Sequence, residues 1–513
     1  MEEMGSSWLS EPRGRGNAIL SAYLTRKSRT FCVTEEARRG IFLGFNLIDM
    51  GNFTAFEKKM ASAGMGEAVI RAFRRNYEAL MRQETGMIPE TSISPADGLA
   101  SLESLSAQAD AADPALLSQA VVIKLNGGLG TGMGLQGPKS LLGVRDGVNF
   151  LDLMVRQIMD LRKRSGTAVR LLLMNSFSTS RETLAHLDHY RADGLADAGE
   201  VELMQNQIPK IDARTMEPVE WPADPELEWC PPGHGDLYPA LVGSGWLDRL
   251  LAEGVRYAFV SNSDNLGAIL DPVILRHFAE SGSPFLMEVT RRTAADRKGG
   301  HLAVRKADGR LLLREVAQCP DEDLDSFQDI ARHRYFNTNS LWIRLDLLKE
   351  QLVANAGALP LPMIRNNKTV DPRDKKSTPV VQLETAMGAA IECFQGASAI
   401  EVPRSRFAPV KTTSDLLALR SDAYDVLGNG QVRLAASRKG VPPVITLSDD
   451  YKLVDQIEAL GVPGLIDCAS LTVKGPIHFE PGVIIKGDVL MENTGGTARN
   501  IEAGTYHDQE VRF

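Results

Sequence analysis

The chain has 513 residues, with 57 lysine and arginine residues against 66 aspartate and glutamate residues, and its formal net charge is −9 at pH 7. This length exceeds what one hydrophobic core organises and predicts two or three domains. With 43% hydrophobic and 24% charged residues, the composition is that of a globular protein. The acidic balance argues against a general nucleic-acid or membrane-surface binder, because such proteins carry broad basic faces.

Neither the N-terminal residues nor the cysteines indicate export. The first residues, MEEMGSSWLSEP, lack the charged-then-apolar pattern of a signal peptide, and no apolar run has the length of a membrane span. The five cysteines are scattered and never stand in CxxC spacing. A cytoplasmic location, without a disulfide framework or a zinc site, is expected. Residues 1–50 show no clear period and are either an extension or lie upstream of a start near Met50.

Residues 51–113 are predicted to form an N-terminal helical segment that docks on the main domain. Within 56–81, apolar residues recur at the spacing of one helix face: Ile70, Phe73, Tyr77 and Leu80. Residues 92–113 are rich in Ser, Ala and Asp and are expected to form a loop with a short helix.

Residues 114–421 alternate short apolar runs with helical patterns. The runs read as strands are 121–125, 170–174, 257–261, 284–289 and 340–343, and the helices are 150–163 and 271–280. Such alternation predicts an α/β fold with a Rossmann-like, mixed but mostly parallel sheet flanked by helices. Ligands of such folds bind at the carboxyl ends of the strands.

Residues 422–513 are predicted to be a linker followed by a hexapeptide-type β-helix. Apolar residues recur every six positions in two series: Leu465, Leu471, Ile477, Val483 and Val489, and Val473, Phe479, Ile485 and Met491. A fixed period of six with glycine and proline between is typical of this coil. Plain antiparallel strands, the alternative, require alternation but no such period.

A glycine-rich stretch, KLNGGLGTGMGLQGPKS, follows the first predicted strand and begins at Lys124. Glycines after a strand let backbone N–H groups approach an anion, and Lys139 adds a point charge for phosphate. A P-loop requires Gly-Lys-Ser/Thr in direct succession, and Pro138 separates Gly137 from Lys139. The stretch therefore indicates a phosphate-binding loop of another type.

Six blocks in order, LNGGLGTGMGLQGPKS, PPGHGD, VSNSDNLGA, FNTNSLW, LETAMGAAI and PVKTTSDLL, resemble the eukaryotic-type UTP–glucose-1-phosphate uridylyltransferases, or UDP-glucose pyrophosphorylases. The resemblance covers residues 85–495. It implies the nucleotide-diphospho-sugar transferase fold with a C-terminal left-handed β-helix. It also implies synthesis of UDP-glucose and pyrophosphate from UTP and glucose 1-phosphate, assisted by Mg²⁺.

The resemblance also implies which residues form the site. Those expected to bind the nucleotide are Leu125, Asn126, Gly127, Gly128, Gly130, Thr131, Lys139, Gln205, Gly233, Asn262 and Lys411. Those expected to bind the sugar phosphate are Gly127, Gly128, His234, Asn262, Ser263, Asp264, Asn337, Asn339 and Glu384. Gln205 matches the glutamine that reads uracil, with Gln207 as the alternative. Asn337 and Asn339 point the same way if their block is extended.

Catalysis is expected to rest on charge rather than on a strong base, because the attacking sugar phosphate is already an anion and pyrophosphate leaves readily. Lys411 and Lys139 are the implied catalytic residues, and Asp264 is the implied Mg²⁺ ligand. Asp264 could instead cap the following helix. Arg292, where the family more often has lysine, and Lys298 are expected to add basic charge near the site.

Two alternatives stay open at this stage. A pyrophosphorylase acting on UDP-N-acetylhexosamine or on many UDP-sugars is the nearest, although its loop usually has arginine after Gly-Thr, where this chain has Gly132 and Met133. A non-catalytic relative that binds nucleotide-sugar is the second, and the presence of Lys139, Asp264 and Lys411 disfavours it. Assembly into a homo-oligomer through the β-helix is a further expectation.

Overall fold

The computed structural model describes residues 51–106, 113–195, 198–293 and 296–513. The expectations for residues 1–50 therefore lie outside the described residues. The N-terminal segment forms two helices, α1 (Gly51–Ser62) and α2 (Glu67–Met81). A single helix over 56–81 is wrong, because the chain turns at Gly64, whose φ of +76° is a left-handed conformation that ends a helix.

Helices α1 and α2 dock on the main body through an aromatic cluster, as the helical spacing predicts. The rings of Phe56 and Phe73 lie 5.3 Å apart between centroids, and those of Phe56 and Tyr77 lie 5.0 Å apart. This cluster shares one buried core with Ile211 and Leu383 of the main body. Burial of such aromatic rings is a large apolar contribution to stability.

The main body contains a central mixed sheet. Its principal strands are β1 (Ala100–Ser101), β2 (Ala120–Asn126), β3 (Arg170–Asn175), β4 (Glu202–Met204), β5 (Tyr257–Asn262), β6 (Phe285–Arg291), β7 (Tyr335–Arg344) and β8 (Ser398–Glu401). Their spatial order is β1-β8-β6-β7-β5-β2-β3-β4. Only β7 among them runs antiparallel to its neighbours, β5 and β6, and the other pairs are parallel. The prediction of a mostly parallel sheet is confirmed.

Helices cover both faces of this sheet. The longer ones are α3 (Phe150–Ser165), α4 (Ser180–Leu187), α5 (Leu237–Gly243), α6 (Trp246–Ala252), α7 (Pro272–Ser281), α8 (Leu345–Ala354) and α9 (Thr413–Arg420). Val122 of β2 packs in one core with α3 and α7, while its neighbours Val121 and Ile123 pack in a second core with α5, α6 and α8. A strand buried on both faces reads as a continuous apolar run, which is why β2 and β5 could be predicted.

Shorter elements complete the main body. Its short helices are Leu102–Ser106, Pro114–Leu117, Ala198–Val201 and Leu324–Gln328. Antiparallel strands that extend the central sheet near β7 are Ile93–Pro95, His301–Arg305 and Leu311–Arg314. Small separate sheets contain the strands Gly143–Arg145, Val148–Asn149, Ile208–Pro209, Ile211–Asp212, Trp229–Cys230, Met363–Thr369 and Pro379–Thr385. Between residues 92 and 106, two strands accompany the expected short helix.

The C-terminal residues form a parallel ladder of strands β9 (Val444–Leu447), β10 (Gly464–Lys474), β11 (Val483–Glu492) and β12 (Gly504–Arg512), with α10 (Val454–Leu460) between β9 and β10. Ile477–Phe479 pairs in parallel with Arg499–Ile501, and the hairpin Tyr424–Val426 and Val432–Leu434 precedes the ladder. The hydroxyl of Ser470 donates to Oδ1 of Asp488, which lies eighteen residues, or three hexads, further along the chain. All nine predicted apolar residues are buried, at 3% exposure or less.

One apolar core joins the main body to this ladder, since Leu417 of α9 and Leu471 of β10 belong to the same buried cluster. The hydroxyl of Thr413 donates to the carbonyl of Tyr451 across the same junction at 2.6 Å. The division at residues 421 and 422 and the left hand of the coil stay predictions. In the described residues, the helices are too short or too polar to cross a bilayer.

Candidate active site

The candidate site lies where the parallel strands β2 and β5 end side by side. The glycine loop, residues 127–138, follows β2, and the Asp264 loop, residues 263–268, follows β5. Between them is a cleft of about 310 Å³. Its lining residues are Leu125, Gly127, Gly128, Lys139, Met174, Gln205, Pro231, Gly233, His234, Asn262, Ser263 and Asp264. Carboxyl ends of adjacent parallel strands are the place where ligands of α/β folds bind.

The glycine loop turns back on itself and returns Lys139 to the cleft. Gly130 and Gly134 have left-handed φ values of +64° and +79°, which favour glycine over other residues. The backbone N–H of Lys139 donates to the carbonyl of Gly128 at 3.0 Å. Gly130 and Thr131, two predicted nucleotide residues, lie in the intervening turn and not among the described residues that line the cleft.

Three charged side chains meet beside the cleft: Lys139 and Asp264 line it, and Lys411 reaches Asp264 from outside the lining residues. The ammonium groups of Lys139 and Lys411 donate to the same oxygen, Oδ2 of Asp264, at 2.7 and 2.9 Å. Lys139 also donates to the carbonyl of Val410, the residue before Lys411. The side chain of Lys139 is 14% exposed and that of Lys411 is 56% exposed, so Lys411 faces the solvent side of the pair.

Asp264 is 8% exposed and is held in its charged form. Burial by itself would raise the pKa of its carboxyl group, but the attraction of Lys411 and Lys139 outweighs burial and lowers that pKa below its usual value. Its second oxygen, Oδ1, is buried and has no hydrogen-bond partner among the described residues. The helix-cap alternative is wrong, because Asp271 accepts from Val273 N–H at the start of α7.

His234 is held as a neutral hydrogen-bond donor. Its Nδ1 atom accepts from the backbone N–H of Met387 at 2.9 Å, so the ring proton resides on Nε2. Burial, and next the positive charge of Lys411, lower the pKa of His234 to about 4. The preceding Gly233 has a φ of +78°, and a Cβ atom there would lie 2.6 Å from the carbonyl of Thr385. Only glycine therefore fits this turn.

Gln205 lies directly after β4 and faces the glycine loop. Its backbone N–H donates to the carbonyl of Asn175 at 2.7 Å, and its Nε2 donates to the carbonyl of Gly233 at 3.1 Å. A Cβ atom on Gly127 would lie 2.6 Å from Oε1 of Gln205, so the two residues are in close contact. Gln207, the alternative, is not among the described residues that line the cleft.

The side chain of Asn126 points away from the cleft that Leu125 lines, as strand alternation requires. Asn126 is 1% exposed, and its Nδ2 donates to Asn175 at 2.8 Å and to Thr183 at 3.0 Å. These bonds join β2 to β3 and to α4. Any contact of Asn126 with a nucleotide is thus limited to its backbone.

The block that carries Asn337 and Asn339 is not simply extended. A β-bulge interrupts the pairing of β7 with β6, and Asn339 adopts a left-handed φ of +58°. The premise that both side chains point the same way is therefore wrong. Asn339 donates to Oδ1 of Asn262 at 2.9 Å, and its N–H donates to Oδ1 of Asn337 at 2.9 Å.

Glu384 lies at the edge of the cleft, on the strand Pro379–Thr385. A Cβ atom added to Gly233 would lie 3.1 Å from the Cβ atom of Glu384. No ion pair joins Glu384 to any described residue. Asn339 and Glu384 thus contact residues of the cleft without lining it, and Asn337 lies one contact further away, bonded to Asn339.

Arg292 does not supply charge to the cleft. Its guanidinium donates to four carbonyls, and burial lowers its pKa from the usual range. The expectation that Arg292 adds basic charge at the site is wrong, because Arg292 is buried and is not among the described residues that line the cleft. Its two terminal nitrogens are bonded to these carbonyls, and its Nε is buried without a hydrogen-bond partner among the described residues. Lys298, by contrast, is exposed.

Several residues that hold the site were missed by sequence reasoning. They are Asn175, Asn206, Asp236, Met387 and Val410, which contribute backbone atoms or bonds to other site residues. Three of them, Asp236, Met387 and Val410, fall inside the sequence blocks that carry the family resemblance. Their place in these blocks was the one sign in the sequence that they belong to the site.

Comparison with known proteins identifies the family. A model of the family described as UTP–glucose-1-phosphate uridylyltransferase matches residues 70–486. The chain belongs to this family. It is 44% identical over 394 residues to the UTP–glucose-1-phosphate uridylyltransferase of Hordeum vulgare, covering 76% of this chain and 80% of that protein.

Solved structures of the family agree with the fold. A mutant UDP-glucose pyrophosphorylase from Leishmania major in complex with UDP-glucose is 48% identical, with a TM-score of 0.85, and the match covers 90% of this chain and 99% of that one. A UDP-glucose phosphorylase from Trypanosoma brucei is 48% identical, with a TM-score of 0.82 over 90% and 100% of the two chains. The central α/β sheet is therefore the common architecture of these uridylyltransferases.

Proposed function

We propose that this protein transfers uridylate from UTP to glucose 1-phosphate, producing UDP-glucose and pyrophosphate. The observation that carries the proposal is the meeting of Lys139, Lys411 and Asp264 beside the glycine loop, at the ends of β2 and β5. Family membership and the similarity to an enzyme bound to UDP-glucose support it.

The two lysines bind and stabilise the phosphates. An ammonium group has three N–H donors, and Lys139 uses two of them on Asp264 and Val410, while Lys411 uses one on Asp264. The remaining donors are available to phosphate oxygens. Charge that develops as the sugar phosphate attacks the α-phosphorus and pyrophosphate departs would be stabilised by them.

Asp264 fits the role of a Mg²⁺ ligand. Its buried Oδ1 has no partner among the described residues, and carboxylate oxygen is the donor that Mg²⁺ prefers. The described residues contain no group of three or more His, Cys, Asp and Glu placed to hold a metal. Phosphate oxygens and water would complete its coordination, and the ion when bound would neutralise charge on the phosphates.

The remaining residues orient the two substrates. Gln205 is proposed to bind uracil, because its amide both donates and accepts, and the loop residues Gly127 and Gly128 to admit the phosphates. His234 would donate from Nε2 to a phosphate oxygen. The hexose hydroxyls are proposed to hydrogen-bond to polar side chains beside the cleft, namely those of Asn262, Ser263, Asn337, Asn339 and Glu384.

The deciding experiment uses the purified full-length chain. UTP and glucose 1-phosphate are supplied with and without Mg²⁺, and UDP-glucose and pyrophosphate are measured. Absence of both products with Mg²⁺ present would reject the enzyme proposal. Parallel assays with galactose 1-phosphate and N-acetylglucosamine 1-phosphate test the sugar, and a preference for the latter would favour the UDP-N-acetylhexosamine alternative.

Three broader features belong to the same proposal. Residues 114–421 are proposed to be the catalytic domain, and 422–513 a linker with a left-handed β-helix through which copies of the chain assemble. The parallel ladder with buried hexads supports the coil. A cytoplasmic location agrees with the scattered cysteines.

A further inference from the structure

Asp236, the last residue of the PPGHGD block, is a buried carboxylate without a cation partner among the described residues. It is 2% exposed. Burial raises its pKa to about 7, and hydrogen bonds from Asn206 oppose that effect. A buried carboxylate lacking a cation costs stability, and an apolar side chain would fill a core position at less cost. Its presence calls for a specific function.

Asn206 supplies every hydrogen bond that the carboxylate of Asp236 accepts from the described residues. The backbone N–H of Asn206 donates to Oδ2 at 2.7 Å, and its side-chain amide donates to Oδ1 and Oδ2 at 3.0 and 3.1 Å. Three bonds to one carboxylate fix both the backbone and the side chain of Asn206.

Asn206 directly follows Gln205, so this contact fixes the chain on the C-terminal side of Gln205. On its other side, the N–H of Gln205 itself is bonded to the carbonyl of Asn175 at the end of β3. The side chain of Gln205 then donates to Gly233 O, three residues before Asp236. The turn containing Gly233 and Asp236 therefore holds Gln205 at two points.

This arrangement fixes which end of the Gln205 amide is the acceptor. A glutamine that is free to flip can offer its oxygen to the N3–H group of uracil or its amino group to the N3 acceptor of cytosine. The carbonyl of Gly233 can only accept, so it holds Nε2 and leaves Oε1 against Gly127. A glutamine held this way favours uracil over cytosine.

We propose that Asp236 is a positioning residue that, through Asn206 and the turn at Gly233, fixes the Gln205 amide in the orientation that selects uracil over cytosine. The inference rests on the proposed function, in which Gln205 binds the base. Asp236 itself is not among the described residues that line the cleft.

The test compares UTP with CTP in the full-length enzyme with glucose 1-phosphate and Mg²⁺. Asp236→Asn keeps the size of the side chain but turns one acceptor into a donor facing the donors of Asn206. The ratio of kcat/KM for UTP to that for CTP should fall about tenfold, with KM for UTP raised and KM for glucose 1-phosphate unchanged. Asn206→Ala retains the backbone bond and should show a smaller fall in the same direction.

Asp152→Asn is the matched control. Asp152 is also a buried carboxylate, accepting from Asn149 N–H at 2.9 Å and from His186 and Tyr190 at 2.6 and 2.7 Å, at the start of α3. Its substitution should lower the melting temperature and leave the UTP to CTP ratio unchanged, because α3 does not line the cleft.

An unchanged ratio in Asp236→Asn, accompanied only by the loss of stability seen in Asp152→Asn, would overturn the inference. If Asp236→Asn fails to fold, an unchanged ratio in Asn206→Ala would overturn it equally. Failure of the proposed function has a different signature, namely no UDP-glucose from the wild type. In that case titration calorimetry of UTP and CTP against wild type and variants measures the preference for UTP over CTP as a ratio of binding affinities. A fall of that ratio in Asp236→Asn and Asn206→Ala would support the inference, and an unchanged ratio would overturn it.

Discussion

Lys139 and Lys411 donate to a single carboxylate oxygen, Oδ2 of Asp264, at 2.7 and 2.9 Å, although one lysine follows the glycine loop and the other precedes α9. Two cations against one carboxylate leave a local positive excess in a protein whose net charge is −9. The positive potential for phosphates is therefore built at one point of the molecule, and its two sources are distant in sequence.

Replacement of Lys411 by alanine is expected to reduce kcat by about 10²-fold or more, because one preorganised cation would be lost from the phosphates in the transition state. Lys411→Arg keeps the charge and should recover part of the loss. Steady-state rates of UDP-glucose formation measure both. The matched control is Lys349→Ala, since Lys349 also forms an ion pair at 2.7 Å and is similarly exposed, at 51% against 56%. Equal rates for Lys411→Ala and Lys349→Ala would contradict the assignment.

Replacement of Asp264 by asparagine is expected to abolish the effect of Mg²⁺ on nucleotide binding. Wild-type protein should bind UTP more tightly with Mg²⁺ than without it, whereas Asp264→Asn should bind with the same affinity in both conditions. Titration calorimetry measures the four affinities. Asp271→Asn is the control, because asparagine caps a helix about as well as aspartate. A Mg²⁺ enhancement that survives in Asp264→Asn would show that the ion is held elsewhere.

The parts of the fold that could be predicted are those with strong local patterns. Strands β2 and β5 are buried on both faces and read as uninterrupted apolar runs, so their positions and their shared edge followed from sequence. The hexads of the C-terminal ladder were predictable from a different local pattern, because buried residues such as Leu471 and Val489 recur at a fixed interval of six or a multiple of six.

Features set by contacts between distant segments could not be predicted. The left-handed conformation of Asn339 depends on a bulge against β6, and nothing in its own block signals it. The sequence suggested that Arg292 is a cation available to phosphates, whereas in the folded chain its guanidinium donates to backbone carbonyls. The bonds between Asp236 and Asn206 join residues thirty positions apart, so neither residue type alone reveals them.

Replacement of Gly127 by alanine is expected to weaken UTP binding selectively. The added Cβ would lie 2.6 Å from Oε1 of Gln205, so the glutamine must move, while the backbone of Gly127 is in a region open to alanine. KM for UTP should rise about tenfold with little change in melting temperature. Gly143→Ala, where no atom lies within 4 Å of the added Cβ, is the control. A rise in KM for glucose 1-phosphate instead would place Gly127 at the sugar.

Replacement of His234 by asparagine is expected to reduce the sensitivity of the fold to acid. The pKa of His234 is about 4 in the folded protein against 6.5 for an ordinary histidine, chiefly because the ring is buried and secondarily because Lys411 is near. Below pH 6.5 the unfolded chain therefore binds a proton that the folded protein does not, and stability falls as pH decreases from 6.5 to 4. Above pH 6.5 this contribution is fully present.

Asparagine at position 234 can still accept from Met387 N–H but cannot titrate, so the variant should lose about 1–3 °C less in melting temperature than wild type between pH 7 and pH 5. Thermal unfolding of wild type and variant at the two pH values measures the difference. Identical losses in wild type and His234→Asn would mean that His234 takes up its proton in the folded protein as readily as in the unfolded chain.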